Sequence, residues 1–369
     1  MRRLPPTASS QVHLRSLTSL RFFAALMVVM LHASQQLEPM AGTDSVVGFG
    51  YTGVGFFFVL SGFVLAWSRN PGLSKGQFYW RRFARVWPLH ALTTLLAVPV
   101  ALFTGAGLAW AALPFVLTMT QSWAPPGELR YAFNGVSWSL SCEVFFYLLF
   151  PALVGPISQR IRLMPAIAGA FLAMGVLGAI GVIALPSEVL GYLFYTMPPF
   201  RLGEFIIGIC LALALQRGWR PRFTVGQALV GAVLMYAVLM AGMLLTFGEP
   251  ARLPYVVADL WMLPSFMAII VAAAAGDINN DGGFLRSSVL VRLGQWSFAL
   301  YLIHELILKT AGLWVDSLNP GMGAFAALVV VAVAVGASGV LYEWFERPVE
   351  SRLRKWGNSR AATKVDVRV

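Results

Sequence analysis

Hydrophobic and polar positions alternate along this chain on a scale of tens of residues, not of two or four. Apolar runs fall near 17–37, 51–68, 86–105, 137–155, 163–185, 199–216, 224–247, 256–276, 291–312 and 322–343, separated by short polar or basic stretches. A helix needs about 20 apolar residues to cross a hydrocarbon layer of about 30 Å. The pattern therefore predicts an all-α fold, a polytopic membrane helix bundle of about ten transmembrane helices in one domain over 17–345. It leaves a polar N-terminal tail at 1–16 and a basic C-terminal tail at 346–369, whose outer parts read as disordered. An eleventh run, Leu108 to Gln121, is about 14 residues long and broken by Pro114. It is too short for an ordinary span and reads as re-entrant or interfacial.

Composition agrees with this pattern. Of 369 residues 58% are apolar and only 12% charged, about half the usual share of a soluble domain, and mean hydropathy is +0.72. Cys142 and Cys210 both lie inside apolar runs, which gives neither a disulfide framework nor metal-ligand spacing. A net charge of +11 raises the question of nucleic acid, and the distribution of the charge answers it. Basic residues gather in alternate connections: Arg2, Arg3 and Arg15; Arg69, Lys75, Arg81, Arg82 and Arg85; Arg160 and Arg162; Arg217, Arg220 and Arg222; Arg286 and Arg292; then the C-terminal tail. The other connections hold only Arg130 and Arg252. This is the positive-inside pattern of a chain with both termini cytoplasmic, its basic loops facing anionic lipid, and not a nucleic-acid footprint.

Ionisable groups at membrane depth are costly and become functional candidates. Arg21 and His32 are eleven residues apart in the first span, three turns plus about 20°, so they share a face about 16 Å apart along the axis. Arg21 is expected near the cytoplasm and His32 near mid-membrane; the plainer alternatives are a snorkelling arginine and a packing histidine. Glu143, below the hydroxyl-rich turn that holds Ser139, is expected about 10 Å from the outer face, at a level that lets it meet His32. Its alternative is a partner for a buried arginine. Arg201 and Glu204, at i and i+3, read as an intrahelical ion pair or as acceptor-binding groups. His304 reads as a helix-to-helix hydrogen bond; His90 and His13 give no comparable signal. Arg81, Arg82 and Arg85, interleaved with aromatics after the second span, suit a phosphate-bearing ligand, because guanidinium forks bind phosphate oxygens bidentately.

Seven segments in order carry a resemblance: LTSLRFFAALMVVMLHAS with Arg21 and His32, GVGFFFVLSGFVLAW from Gly53, FYWRRFARVWPLH, SWSLSCEVFFYLLFPAL around Glu143, FRLGEFIIGI around Arg201, LGQWSFALYLIHELIL around His304 and FERPVESRLRKW after Phe345. Together they resemble the acyltransferase-3 family of integral membrane acyltransferases, which includes bacterial surface-polysaccharide O-acetyltransferases and macrolide O-acyltransferases. The resemblance implies acyl transfer, usually of acetyl, from cytoplasmic acyl-CoA to a sugar hydroxyl of a lipid-linked or exported polysaccharide, without a metal, in a bacterial cytoplasmic membrane. It implies that His32 and Glu143 are catalytic and that Arg21, Arg81, Arg82 and Arg85 bind the coenzyme, while Ser139, Arg201, Glu204 and His304 are weaker candidates for binding substrate. Two departures stand out. Cys142 precedes a single Glu143 where relatives commonly carry two acidic residues, and no second, hydrolase-like domain follows Trp356. A macrolide or glycolipid acceptor, or a secondary transporter, are the competing readings; no paired discontinuous helices favour the transporter.

Overall fold

The computed structural model describes residues 12–248, 253–281 and 283–366. Residues 1–11, which make up most of the expected N-terminal tail with Arg2 and Arg3, lie outside it, as do Arg252 and Arg368. Eleven long helices carry the fold: α1 (Arg15–Gln36), α2 (Gly53–Trp67), α3 (Lys75–Thr104), α4 (Trp138–Arg160), α5 (Leu163–Ala184), α6 (Pro198–Gln216), α7 (Val225–Phe247), α8 (Tyr255–Ile278), α9 (Ser288–Val315), α10 (Pro320–Leu341) and α11 (Arg347–Asp366). Among the described residues ten stretches are long and apolar enough to cross a membrane. They coincide with the ten apolar runs. The run from Leu108 forms only short helical turns around Pro114.

Burial sorts the helices into an inner and an outer set. In α2 the apolar stretch is 78% buried, whereas in α5 and α7 it is 22% buried, so α2 lies at the centre and the other two face lipid. At the centre Phe58, Phe146 and Phe205 of α2, α4 and α6 stack edge to face and face to face. Helices α1 and α9 run parallel and in backbone contact: a Cβ on Gly294 would sit 1.9 Å from the Thr18 carbonyl oxygen. Only glycine permits that approach, and small residues at such crossings are how helices associate without a hydrophobic driving force. The register it sets brings His32, near the end of α1, against His304 in the middle of α9.

Two expected boundaries move. The arginines at 81, 82 and 85 are not in a loop, because Ser74 and Gln77 form a reciprocal capping box and start α3 at Lys75. All three stand in its first turns. The C-terminal segment is not a loose tail either. A π-helical turn at Tyr342–Glu346 leads into α11, which packs along the start of α3: the Trp80 ring lies tilted against Trp356 and its indole N–H donates to the Leu353 carbonyl at 2.7 Å.

Inside the bundle Arg201 is fully buried and bound on three sides. Its guanidinium donates to Glu204 at 2.9 Å, to Asp259 of α8 at 2.6 Å and to the Tyr195 carbonyl at 2.8 Å. The i,i+3 pair expected from sequence is thus part of a triad that ties α6 to α8. Removing one partner of a buried ion pair costs about 3 to 5 kcal/mol, because the remaining charge is left uncompensated. Asp259→Ala should lower unfolding stability by about that much in detergent, and Glu204→Gln by less, since Glu204 is adjacent on the same helix. A melting temperature unchanged in Asp259→Ala would contradict the anchoring role.

If all ten stretches cross, the even count puts the start of α1 and the start of α11 on one face, and the positive-inside pattern predicts that this face is cytoplasmic. Single cysteines at Arg69 or Trp219 should resist an impermeant maleimide in intact cells, while those at Glu188 or Ser317 should react; Cys142 and Cys210 are buried and give no background. Labelling at Trp219 would reverse the assignment.

Candidate active site

The arginines of α1 and α3 meet around a cavity of about 130 Å³ near the end of the bundle where those two helices begin. Arg21, Arg82 and Arg85 line it with Glu143 and Tyr147 of α4, and Ser139 and Tyr301 close its inner end. Arg82 lies over the Tyr147 ring, 5.8 Å from its centroid, and its Nε is buried without a hydrogen-bond partner. Arg85 is held by Glu346, and by Glu350 at 3.1 Å. Arg21 faces the charges of Glu143 and Glu346. Glu346 and Glu350 pair with Arg85, which leaves Arg82, its Nε without a partner, as the guanidinium best placed to take an anionic ligand. Arg81 points elsewhere, its guanidinium 3.4 Å from Asn358 of α11, since adjacent positions on a helix diverge by about 100°.

Glu143 does not meet His32. Its carboxylate accepts a hydrogen bond from Tyr147 at 2.5 Å and approaches Ser61 at 3.5 Å. The reason lies in where α4 begins. The stretch Gly135–Ser137 that leads into it is fully buried, so the helix starts inside the protein and Glu143 sits one turn deeper than the hydroxyl turn at Ser139. Gln121 and Ser122, at the end of the non-crossing segment, hold this start in place: Gln121 donates to the Ser137 carbonyl at 3.0 Å and Ser122 to the Trp138 carbonyl at 2.7 Å. His90, silent in the sequence, fixes the same segment through the Val116 carbonyl at 2.8 Å.

His32 lies four residues from the end of α1, nearer the opposite face than mid-membrane. Its ring partner is His304 of α9, Nδ1 to Nε2 at 2.8 Å, with the rings within 11° of parallel. His304 is wholly buried. It stands almost one turn beyond Tyr301, the two rings 6.0 Å apart, so the histidine pair sits just past the closed end of the arginine cavity. The Tyr301 hydroxyl donates to the Val136 carbonyl at 3.0 Å and contacts the Ser139 hydroxyl at 2.9 Å. Adding these steps puts Glu143 and His304 roughly 10 Å apart along the bundle axis.

The carboxylate beside the histidines is Glu305, whose charge reaches both rings. It accepts the Val136 backbone N–H at 2.9 Å and pairs with Lys309 at 2.6 Å. A Cβ on Gly135 would lie 2.8 Å from its Oε1, so glycine leaves room for the carboxylate at the turn before α4. Sequence reasoning passed over Glu305; the available signals were its adjacency to His304 and its i,i+4 spacing to Lys309. Asp259 was missed as well, having no partner near it in sequence.

A second cavity, of about 440 Å³, opens past the histidines. It is bounded by the far half of α3, from Ala97 to Thr104, by the connection around Tyr131, and by Leu306 and Lys309 of α9. Helix α9 thus contributes Ser297 to Tyr301 to one cavity and Leu306 to Lys309 to the other, with His304 and Glu305 between. Arg201 and Glu204 line neither. Among the described residues no group of three His, Cys, Asp or Glu side chains is placed to hold a metal ion.

Comparison with known proteins accords with this architecture. The chain is 34% identical over 380 residues to acyltransferase MdmB of Streptomyces mycarofaciens, covering 94% of this chain and 93% of that one. It is 28% identical over 322 residues to the exopolysaccharide production protein ExoZ of Rhizobium meliloti, covering 83% and 91%. With O-acetyltransferase OatA of Staphylococcus aureus it shares 23% over 368 residues, 92% of this chain but only 58% of that one. No solved structure matches. A family model described as an acyltransferase domain matches residues 14–342, and the chain belongs to that family, the acyltransferase-3 membrane acyltransferases.

Proposed function

We propose that the protein transfers an acyl group, in the simplest case acetyl, from acyl-CoA to a sugar hydroxyl of a lipid-linked or exported polysaccharide, with the donor entering from the cytoplasmic face. The observation that carries this reading is the order of features along α9: an arginine-lined cavity, a histidine pair, then a second, roomier cavity. Coenzyme phosphates would be bound by Arg82 and Arg85, with Arg21 and Glu143 deeper in, and the thioester arm would run toward Tyr301. A macrolide or glycolipid sugar is the competing acceptor. The polysaccharide reading draws on ExoZ, which is named for exopolysaccharide production.

In the chemistry, His32 acts as general base. Its Nε2 takes the hydroxyl proton as the acceptor oxygen bonds to the thioester carbonyl carbon; the carbon–sulfur bond then breaks, and the proton passes from the imidazolium to the departing CoA thiolate. An imidazole, with an ordinary pKa of about 6.5, suits this near neutral pH. Glu305, next to His304 in sequence and nearer the histidine pair than Glu143, would stabilise the transient imidazolium through space. Glu143 instead balances Arg21 inside the donor cavity. Tyr301 and Ser139 line the cavity on the side of the histidine pair and are hydrogen-bonded to each other, and we take that hydrogen bond as the gate the arm displaces on its way to His32.

Purified variants test this. His32→Ala should abolish acetyl transfer while binding acetyl-CoA normally. Arg82→Ala should weaken acetyl-CoA binding by about 1.5 to 3 kcal/mol, the value of a hydrogen bond to a charged group, with lysine only partly restoring it. Arg81→Ala, outside the cavity, should have a smaller effect, and Glu143→Gln should lower turnover more than donor affinity. Near-normal transfer by folded His32→Ala would refute the mechanism.

A further inference from the structure

His304 makes two hydrogen bonds, and their acceptors decide where its protons lie. Its Nδ1 is 3.0 Å from the Leu300 carbonyl oxygen, one turn back on α9. A carbonyl only accepts, so Nδ1 carries a proton. The ring is wholly buried, and no carboxylate is among its hydrogen-bond partners in the described residues. Glu305, the nearest, is already engaged by Lys309 and the Val136 N–H. The ring is therefore neutral, and its Nε2 holds a lone pair. That lone pair faces Nδ1 of His32 at 2.8 Å, so His32 must donate there. A neutral His32 that donates from Nδ1 has its own lone pair on Nε2, the nitrogen turned away from His304.

We propose that His304 is a positioning residue for acyl transfer: it fixes the tautomer of His32 so that Nε2 is the proton acceptor, an assignment resting on the general-base reading above. The division of labour resembles that in a serine hydrolase triad, where a buried acceptor on Nδ1–H sets tautomer and orientation. Here a neutral imidazole sets the geometry and Glu305, next in sequence, supplies the charge. The helix's own Leu300 carbonyl starts the chain of donors, so the direction of the protons is set by α9. It also explains why a histidine occupies position 304: the site needs a group that donates to its own helix and accepts from the neighbouring one.

The chain has four histidines, which makes the tautomers directly readable. In full-length protein labelled with ¹⁵N-histidine and held in nanodiscs near pH 8, resonances of His32 are identified by their loss in His32→Gln. The expected spectrum shows His32 protonated at Nδ1 and bare at Nε2, and His304 likewise. In His304→Leu the Nδ1-protonated form of His32 should lose its dominance, and kcat for CoA release from acetyl-CoA should fall roughly 10²- to 10⁴-fold with KM for acetyl-CoA little changed. His304→Gln, whose side-chain carbonyl accepts from Nδ1–H, should recover part of the rate. A wild-type His32 bare at Nδ1 would overturn the proposal, as would folded His304→Leu with full kcat. Should His304→Leu fail to fold, the wild-type spectrum still decides. An active His32→Ala would instead remove the general-base reading itself, whereas an inactive His32→Ala beside a normal His304→Leu would remove only the role given to His304.

Discussion

Hydrocarbon does not solvate charge, so every ionisable side chain inside this bundle has to find a partner from another part of the chain or open onto a cavity. The positions of the helices follow from how that requirement is met. Arg201 draws α6 and α8 together through Glu204 and Asp259. Arg85 recruits Glu346 and Glu350 from the C-terminal segment, which holds α11 against α3. Ser16 at the start of α1 donates to Asp277 at the end of α8 through both backbone and side chain, at 2.8 and 2.9 Å. Glu305 binds Lys309 and a backbone N–H at the mouth of α4.

What remains after those pairings are formed is the site. Arg21 and Arg82 turn to a cavity, and His32 and His304 satisfy each other across α1 and α9. The two histidines need a close parallel packing, which Gly294 against Thr18 supplies. They also need the buried turn before α4, which brings Val136 and Ser139 to Glu305 and Tyr301. Helix α9 serves as the axis of the arrangement, with one face meeting the arginine cavity, the histidine pair and the second cavity in succession.

The fold was legible in the sequence where hydrophobic length decides it. Ten apolar runs gave ten helices, and Pro114 marked the run that does not cross. Partnerships between distant segments were not legible. Nothing near Arg201 in sequence points to Asp259, 58 residues away. Glu143 was placed by assuming that its helix begins at the membrane surface, whereas the buried Gly135–Ser137 turn starts that helix inside the protein. The arginine loop became helix because the capping box at Ser74 outweighs the high polarity of the segment. Arg21, Arg82, Arg85 and Ser139 line one cavity although no spacing in the sequence joins them, and the partner of His32 is His304, which on sequence reads only as a helix-to-helix hydrogen bond.

The central claim is that donor and base lie in line along α9, and a structure with a non-hydrolysable thioether analogue of acetyl-CoA tests it most directly. The account predicts density for the coenzyme phosphates beside Arg82 and Arg85, the arm rising past a displaced Tyr301 hydroxyl, and the acyl carbonyl carbon within about 4 Å of where an acceptor oxygen could sit against Nε2 of His32. An analogue bound in the second cavity, or one whose arm ends beside Glu143 with the Tyr301–Ser139 hydrogen bond intact, would contradict it.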